Sequence, residues 1–164
     1  DKRPYRPCVG LMVFNDEGKV FTGKRIDNSN NNAWQLPQGG IDNGETPIEA
    51  GFRELEEETS IISVNFIAEY PEWINYDVPL NLANNLWEGK FRGQTQKWLL
   101  FHFHGIENEI DIKTKVPEFI EWTWTNPNEL INRSIYFKKE VYKKINTIFL
   151  PLIENIKDQR LSIT

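Results

Sequence analysis

The sequence predicts an α/β fold, a sandwich of helices on a β-sheet. Five short apolar runs, at residues 8–14, 19–25, 63–70, 96–104 and 119–123, have strand length and composition. Two stretches, after Thr46 and after residue 136, carry apolar side chains at helical spacing. No repeat or linker divides the 164 residues, a length that can bury its own core, so residues 1–164 read as one domain.

In chain order, CVGLMVF at 8–14, the turn NDEG and KVFTGKR at 19–25 form a hairpin. DNSNNNA at 27–33 is a polar loop. WQLPQGG at 34–40 ends in two glycines, where backbone can approach a ligand. TPIE then starts a helix: Thr46 caps it, Pro47 suits its first position, and Glu49 reaches back to close a capping box. Residues 75–94 are expected to be a long irregular segment, of a length that often carries function. The last helix is expected over about 137–156, with Phe137, Val141, Ile145, Ile148 and Leu152 as its apolar stripe.

Composition narrows the class. A hydrophobic content of 39% and a charged content of 26% suit a soluble globular chain. One cysteine, Cys8, excludes an internal disulfide framework and fits a reducing, cytoplasmic setting. No apolar run approaches the roughly 20 residues that span a membrane. The opening DKRPYRPC does not read as a secretory signal, and without an initiator methionine the chain is expected to be trimmed there. A net charge of −5 argues against non-specific grip on long nucleic acid. Local basic residues and a metal can still hold one phosphorylated end. Most of the six tryptophans are expected in core and sheet, with one or two against a ligand.

The first helix is unusual. Glu54, Glu56, Glu57 and Glu58 fill four of five positions. Ile48, Phe52, Leu55 and Thr59 fall within an arc of roughly 60° and are expected to be its buried face. Glu54, Glu57 and Glu58, at i, i+3 and i+4, share another surface. Ala50 and Gly51 lie beside them and leave room. An ordinary solvated acidic face is the plain alternative. Against it, the i+4 positions hold Glu58, Ile61 and Ile62 rather than basic partners. The acids also sit at the C-terminal end, where the helix dipole disfavours negative charge. A hard divalent cation, Mg²⁺ with Mn²⁺ or Zn²⁺ as substitutes, would turn the repulsion into ligation.

These residues carry a resemblance. Gly39, Glu45, Arg53-Glu54, Leu55, Glu57-Glu58, Ser60 and Ile61 are similar to the Nudix box, with Ser60 standing where that pattern has glycine. If that position ends the helix in a left-handed turn, a serine there costs about 1 kcal/mol. YRPCVG, WQLPQGG, GQTQKWLLF, PEFIEWTW and FKKEVYKK, spread from Tyr5 to Lys144, resemble the bacterial RNA pyrophosphohydrolase branch, which overlaps the diadenosine polyphosphate hydrolases. The resemblance implies an α/β/α sandwich with a mixed central sheet. It also implies Mg²⁺-dependent hydrolysis of a nucleoside diphosphate linked to another moiety. Metal ligands would be Gly39, through its backbone, and Glu54, Glu57, Glu58 and Glu118. The catalytic set would be Glu57, Glu118 and Arg53, with Arg53 and Glu45 mainly tying the loop to the helix. Glu118 is otherwise a surface loop acid.

Phosphoanhydride hydrolysis needs charge neutralisation, positioning and an activated water. Either Glu57 or Glu118 would take the water's proton. By resemblance, Arg6, Arg25, Lys97 and Lys138 contact phosphates, although each alone reads as surface charge. Phe137 stacks on the first base with Arg25 opposite, or else simply begins the apolar stripe; Tyr76 faces the ligand. His102 and His104 share one strand face and read as sheet residues rather than half of a zinc site. The expected substrate is 5′-triphosphorylated RNA, with a dinucleoside polyphosphate such as diadenosine tetraphosphate as the alternative. A silent binding module of the same fold is the competing class. No membrane is involved, and no protein partner is indicated.

Overall fold

A computed structural model describes residues 1–26 and 33–163, with the side chains of 161–163 left out of the account. Most of the loop read at 27–33 therefore lies outside the described residues. The elements are β1 (Tyr5–Phe14), β2 (Val20–Arg25), β3 (Gln38–Gly40), α1 (Pro47–Thr59), β4 (Val64–Glu69), β5 (Ile74–Asp77), α2 (Leu80–Ala83), β6 (Gly93–Phe103), β7 (Phe119–Thr125), α3 (Pro127–Arg133) and α4 (Lys139–Ile163). The sheet runs β4-β6-β1-β2-β7, with β3 paired to β1 and β5 to β6. β1 and β6 run parallel and every other pair is antiparallel, so the sheet is mixed.

Strand alternation sorts the apolar side chains onto two faces. Val9, Leu11, Val13, Leu99 and Phe101 pack under α1. Met12, Phe14, Trp98 and Leu100 pack under α3 and α4, where Leu130, Val141, Tyr142, Ile145, Phe149 and Ile153 meet them. The result is the expected α/β/α sandwich. The stripe of α4 differs from the expected one. Ile148 is exposed, while Tyr142, Phe149 and Ile153 are buried, because the helix is rotated to put Tyr142 beneath the loop before β3. There the Leu36 N–H donates to the Tyr142 hydroxyl at 3.1 Å.

Helix α1 starts as read. Thr46 Oγ1 accepts from the Glu49 N–H, and Glu49 accepts from the Thr46 N–H. Its buried face is a correction. Phe52 is 41% exposed, whereas Ala50, Gly51, Leu55, Glu58 and Thr59 are buried. A methyl at Gly51 would stand 2.5 Å from Leu99 Cδ1, so the two small residues mark the line of closest approach to the sheet rather than spare room. The helix ends on Ser60 at φ 65°, ψ 8°, the left-handed conformation expected at that position. Ser60 Oγ donates to the Asp111 carbonyl at 2.9 Å, which offsets part of the conformational cost.

The segment read as irregular is partly regular: β5 and α2 lie within it. Its tip is tight, with Trp87 and Glu88 both at positive φ ahead of Gly89. His102 is buried, stacked on Phe14 and bonded to Asp16 at 2.8 Å, in keeping with a sheet role. His104 lies one residue past β6.

Candidate active site

Register builds one wall of the site. Arg6 on β1 pairs with Gln94 on β6, and Gln94 pairs with Tyr76 on β5, so the three side chains form a row across the sheet. One step further, β3 brings Gly40 opposite Cys8 and Gly39 opposite Val9. A Cβ on Gly40 would lie 2.6 Å from the Arg6 guanidinium, so a side chain there would shift that group. Arg6 also donates to Cys8 Sγ at 3.1 Å. Burial, ahead of the opposing influence of Arg6, pushes the Cys8 thiol up to about 11.

These residues edge a cavity of about 380 Å³. Glu54, Glu58, Glu118 and Gly39 line its acidic end; Arg6, Arg25, Lys138, Tyr76 and Phe137 line the rest. A second groove carries Glu54, Glu57, Glu58 and Glu118, so the acidic end opens to both. Gly39 touches the Glu54 carboxyl so closely that any side chain at 39 would displace it.

Arg53 ties this end together. Its Nε donates to Glu45 at 2.6 Å, Nη1 to Glu54 at 2.9 Å and Glu57 at 3.1 Å, and Nη2 to the Gly40 carbonyl at 2.9 Å and Glu45 at 2.9 Å. The hydrogen bonds from Arg53, then that from the Asp42 N–H, hold the Glu45 carboxyl down at about 2. Glu54 is pushed up by burial despite Arg53. Glu58 is raised well above the ordinary range, by burial first and then by the charges of Glu54 and Glu118. It is 7% exposed, and its Oε2 is buried without a hydrogen-bond partner.

Among the described residues, no three His, Cys, Asp or Glu side chains are gathered tightly enough to make a finished metal cluster. Arg53 is paired with both Glu54 and Glu57. The mutual repulsion of Glu54, Glu58 and Glu118 still places three carboxylates within electrostatic reach of one another. An orphaned buried carboxylate oxygen beside further carboxylates is a donor set that suits a hard divalent cation.

Comparison with known proteins fits this arrangement. The NUDIX domain pattern matches residues 4–145. The chain belongs to the Nudix family. Relatives include a protein of Cereibacter sphaeroides named RNA pyrophosphohydrolase, 47% identical over 150 residues, covering 90% of this chain and 92% of that one. One of the same name from Pelagibacter ubique is 51% identical over 142 residues, 87% of this chain and 89% of that one. Among solved structures, the E. coli dihydroneopterin triphosphate pyrophosphohydrolase superposes with a TM-score of 0.71 at 18% identity, over 91% of this chain and 99% of that one. A C. elegans Ap4A hydrolase gives 0.62 at 15%, over 88% and 98%. At those identities the structures speak for the fold alone. Nudix hydrolases generally depend on a divalent metal.

Of the remaining residues read from sequence, Arg25 and Phe137 line the cavity and Lys97 does not. Arg25 reaches Glu118 at 3.6 Å and so links the basic wall to the acidic end. Phe137 is stacked on Tyr76, with ring centroids 6.1 Å apart and planes at 18°. Lys97 is not brought to the cavity. Alternation along β6 turns it to the face opposite Gln96 and Trp98, and its Nζ donates to the Pro71 carbonyl at 3.0 Å. Glu57, with a 58% exposed side chain, lines the second groove and not the first.

Four cavity residues escaped the sequence reading. Trp34 lies between the cations of Lys24 and Arg133, each 5.2 Å from its ring. Trp87 lies under Arg6 at 5.8 Å. Gln38 and Gln94 bond each other at 3.1 Å. The only signals were the aromatic and glutamine of WQLPQGG and the length of the 75–94 segment.

Proposed function

We propose that this Nudix hydrolase is an RNA pyrophosphohydrolase. It hydrolyses a phosphoanhydride bond at the 5′-triphosphate end of RNA, releases pyrophosphate or phosphate, and leaves a 5′-monophosphate. The observation that carries this reading is the lining of one cavity, where Glu54, Glu58 and Glu118 share the space with Arg6, Arg25, Lys138 and the Phe137 ring. The relatives named RNA pyrophosphohydrolase, matched over nine-tenths of the chain, support it.

In this reading Glu54, Glu57, Glu58 and Glu118 and the Gly39 backbone hold the cation, Mg²⁺. That ion neutralises phosphate charge and makes water more acidic. Arg6, Arg25 and Lys138 bind the phosphate chain and counter the charge that develops on its oxygens. The exposed face of Phe137 takes a base, since Tyr76 covers the other. Arg53 fixes the register of loop and helix through its bonds to Glu45 and Gly40. Glu57 and Glu118 both face the open acidic groove, and one of them removes the proton from the attacking water. Among the described residues no helix is long and apolar enough to cross a membrane.

The test is product analysis on an end-labelled 5′-triphosphorylated oligonucleotide with Mg²⁺, beside diadenosine tetraphosphate at equal concentration. Conversion to 5′-monophosphate RNA is expected to dominate. Much faster cleavage of the dinucleotide would make the chain a dinucleoside polyphosphate hydrolase instead. Glu57→Gln is expected to lower turnover at least about a hundredfold.

A further inference from the structure

Behind the basic wall lies a polar network among the described residues that extends beyond those read as touching substrate. The Trp98 indole N–H donates to Gln96 Oε1 at 3.1 Å. Gln96 Nε2 donates to Gln38 Oε1 at 3.0 Å and to Gln94 Oε1 at 2.9 Å. Gln38 Nε2 donates to Gln94 Oε1 at 3.1 Å, and the Tyr76 hydroxyl donates to the same oxygen at 2.9 Å. Lys138 Nζ donates to Gln35 Oε1 at 3.2 Å and to Gln38 Oε1 at 3.4 Å. Trp98, Gln94, Gln96 and Lys138 are all buried.

The two ends of this network decide its sense. An indole N–H and an ammonium can only donate. Trp98 therefore forces Gln96 to present its oxygen inward and its NH₂ outward. That NH₂ in turn forces Gln38 to present an oxygen, which is the atom Lys138 meets. Turning over either amide would set N–H against N–H in a buried site, where an unmade bond is costly. Trp98 is itself closely packed: a Cβ on Gly10 would run into its ring, and Tyr142 meets it edge-on at 5.8 Å.

We propose that Gln96, oriented by Trp98, is a positioning residue: through Gln38 it holds the Lys138 ammonium at the phosphate-binding wall. This rests on the reading of Lys138 as a phosphate contact. Neither Gln96 nor Trp98 lines the cavity, so both act only through others.

The experiment is a double-mutant cycle on the full chain with Mg²⁺, reading kcat/KM on a 5′-triphosphorylated oligonucleotide and, independently of turnover, the affinity for inorganic tripolyphosphate. Gln96→Met removes the relay with little change of shape. Gln96→Met with Trp98→Phe removes both partners, so that no buried donor is stranded and folding is protected. Each is expected to lower kcat/KM about tenfold, mostly through KM, and to weaken tripolyphosphate to a similar extent. On a Lys138→Met background the same changes are expected to have no further effect. A fall that multiplies with that of Lys138→Met, or no fall from either Gln96 variant while melting stays normal, overturns the inference alone. A Lys138→Met enzyme with unchanged KM and tripolyphosphate affinity overturns the role of Lys138 and the inference with it. Coupled losses in tripolyphosphate binding without RNA hydrolysis would uphold the relay and reject the substrate.

Discussion

Replacing Glu58 by glutamine is expected to stabilise the metal-free protein while removing its response to metal. The carboxylate is buried between α1 and the cavity and accepts a hydrogen bond from the Gln38 N–H, but its Oε2 has no partner and faces the charges of Glu54 and Glu118. Leaving such a group unsatisfied costs about 1–3 kcal/mol, and more when it is charged. A glutamine keeps the oxygen that Gln38 needs and points an NH₂ toward the neighbouring carboxylates. For a chain of this size about 1 kcal/mol moves Tm by roughly 2–4 °C, so in chelator at pH 7 the variant should melt about 2–12 °C above the parent. The folded carboxyl titrates above its unfolded value of 4.5. Its penalty is therefore full above the folded pKa and gone below about 4.5, where both states hold the proton. The difference in Tm should close as the pH falls to that value. Mg²⁺ at a hundred times its Kd should raise the parent by about 2.7 kcal/mol and the variant by much less, closing most of the difference or reversing it. Calorimetry across a Mg²⁺ series and a pH series reads all of this. A variant that melts below the parent in chelator at pH 7 would refute the reasoning.

Ser60→Gly should be nearly neutral in urea unfolding. Relief of the left-handed conformation, about 1 kcal/mol, is offset by loss of the bond to the Asp111 carbonyl. Ser60→Ala, which keeps the strain and loses the bond, should cost about 0.5–1.5 kcal/mol. Glu45 is held at about 2, against 4.5 when unfolded, so its contribution is complete above 4.5 and is lost as the pH falls toward 2. A pH–Tm profile of Glu45→Gln should accordingly be flatter than the parent's in that window. Lys97→Met should leave kcat/KM within about twofold of the parent, because the ammonium serves the Pro71 carbonyl rather than the cavity.

What sequence can reveal here follows from how local each signal is. The capping box of α1, the strands β1, β2, β4, β6 and β7 and the acid triplet are encoded within a few residues of one another, and they were readable; the short β3 and β5 were not. The buried face of α1 was not. Hydrophobicity pointed to Phe52, while the packing line runs through Ala50 and Gly51, whose value lies in what they lack. Lys97 fell inside a family-like stretch, GQTQKWLLF, and only the strand's alternation decides which of its side chains reach the ligand. The glutamine network joins residues 38, 94 and 96 to 138, a union made by β-sheet register and by the approach to α4. Nothing at any single position announces it.

The missing methyl at Gly51 has a reach beyond packing. It lets the carboxylate-bearing helix settle directly on Leu99 and Phe101, and the strand that carries those two also carries the row beside the phosphate wall. In the proposed reading, the gap that a triphosphate would span from cation to guanidinium is thus gauged by the close packing at Gly51. A larger residue there would not empty the site of any group. It would set the two halves of the reaction at the wrong distance from each other.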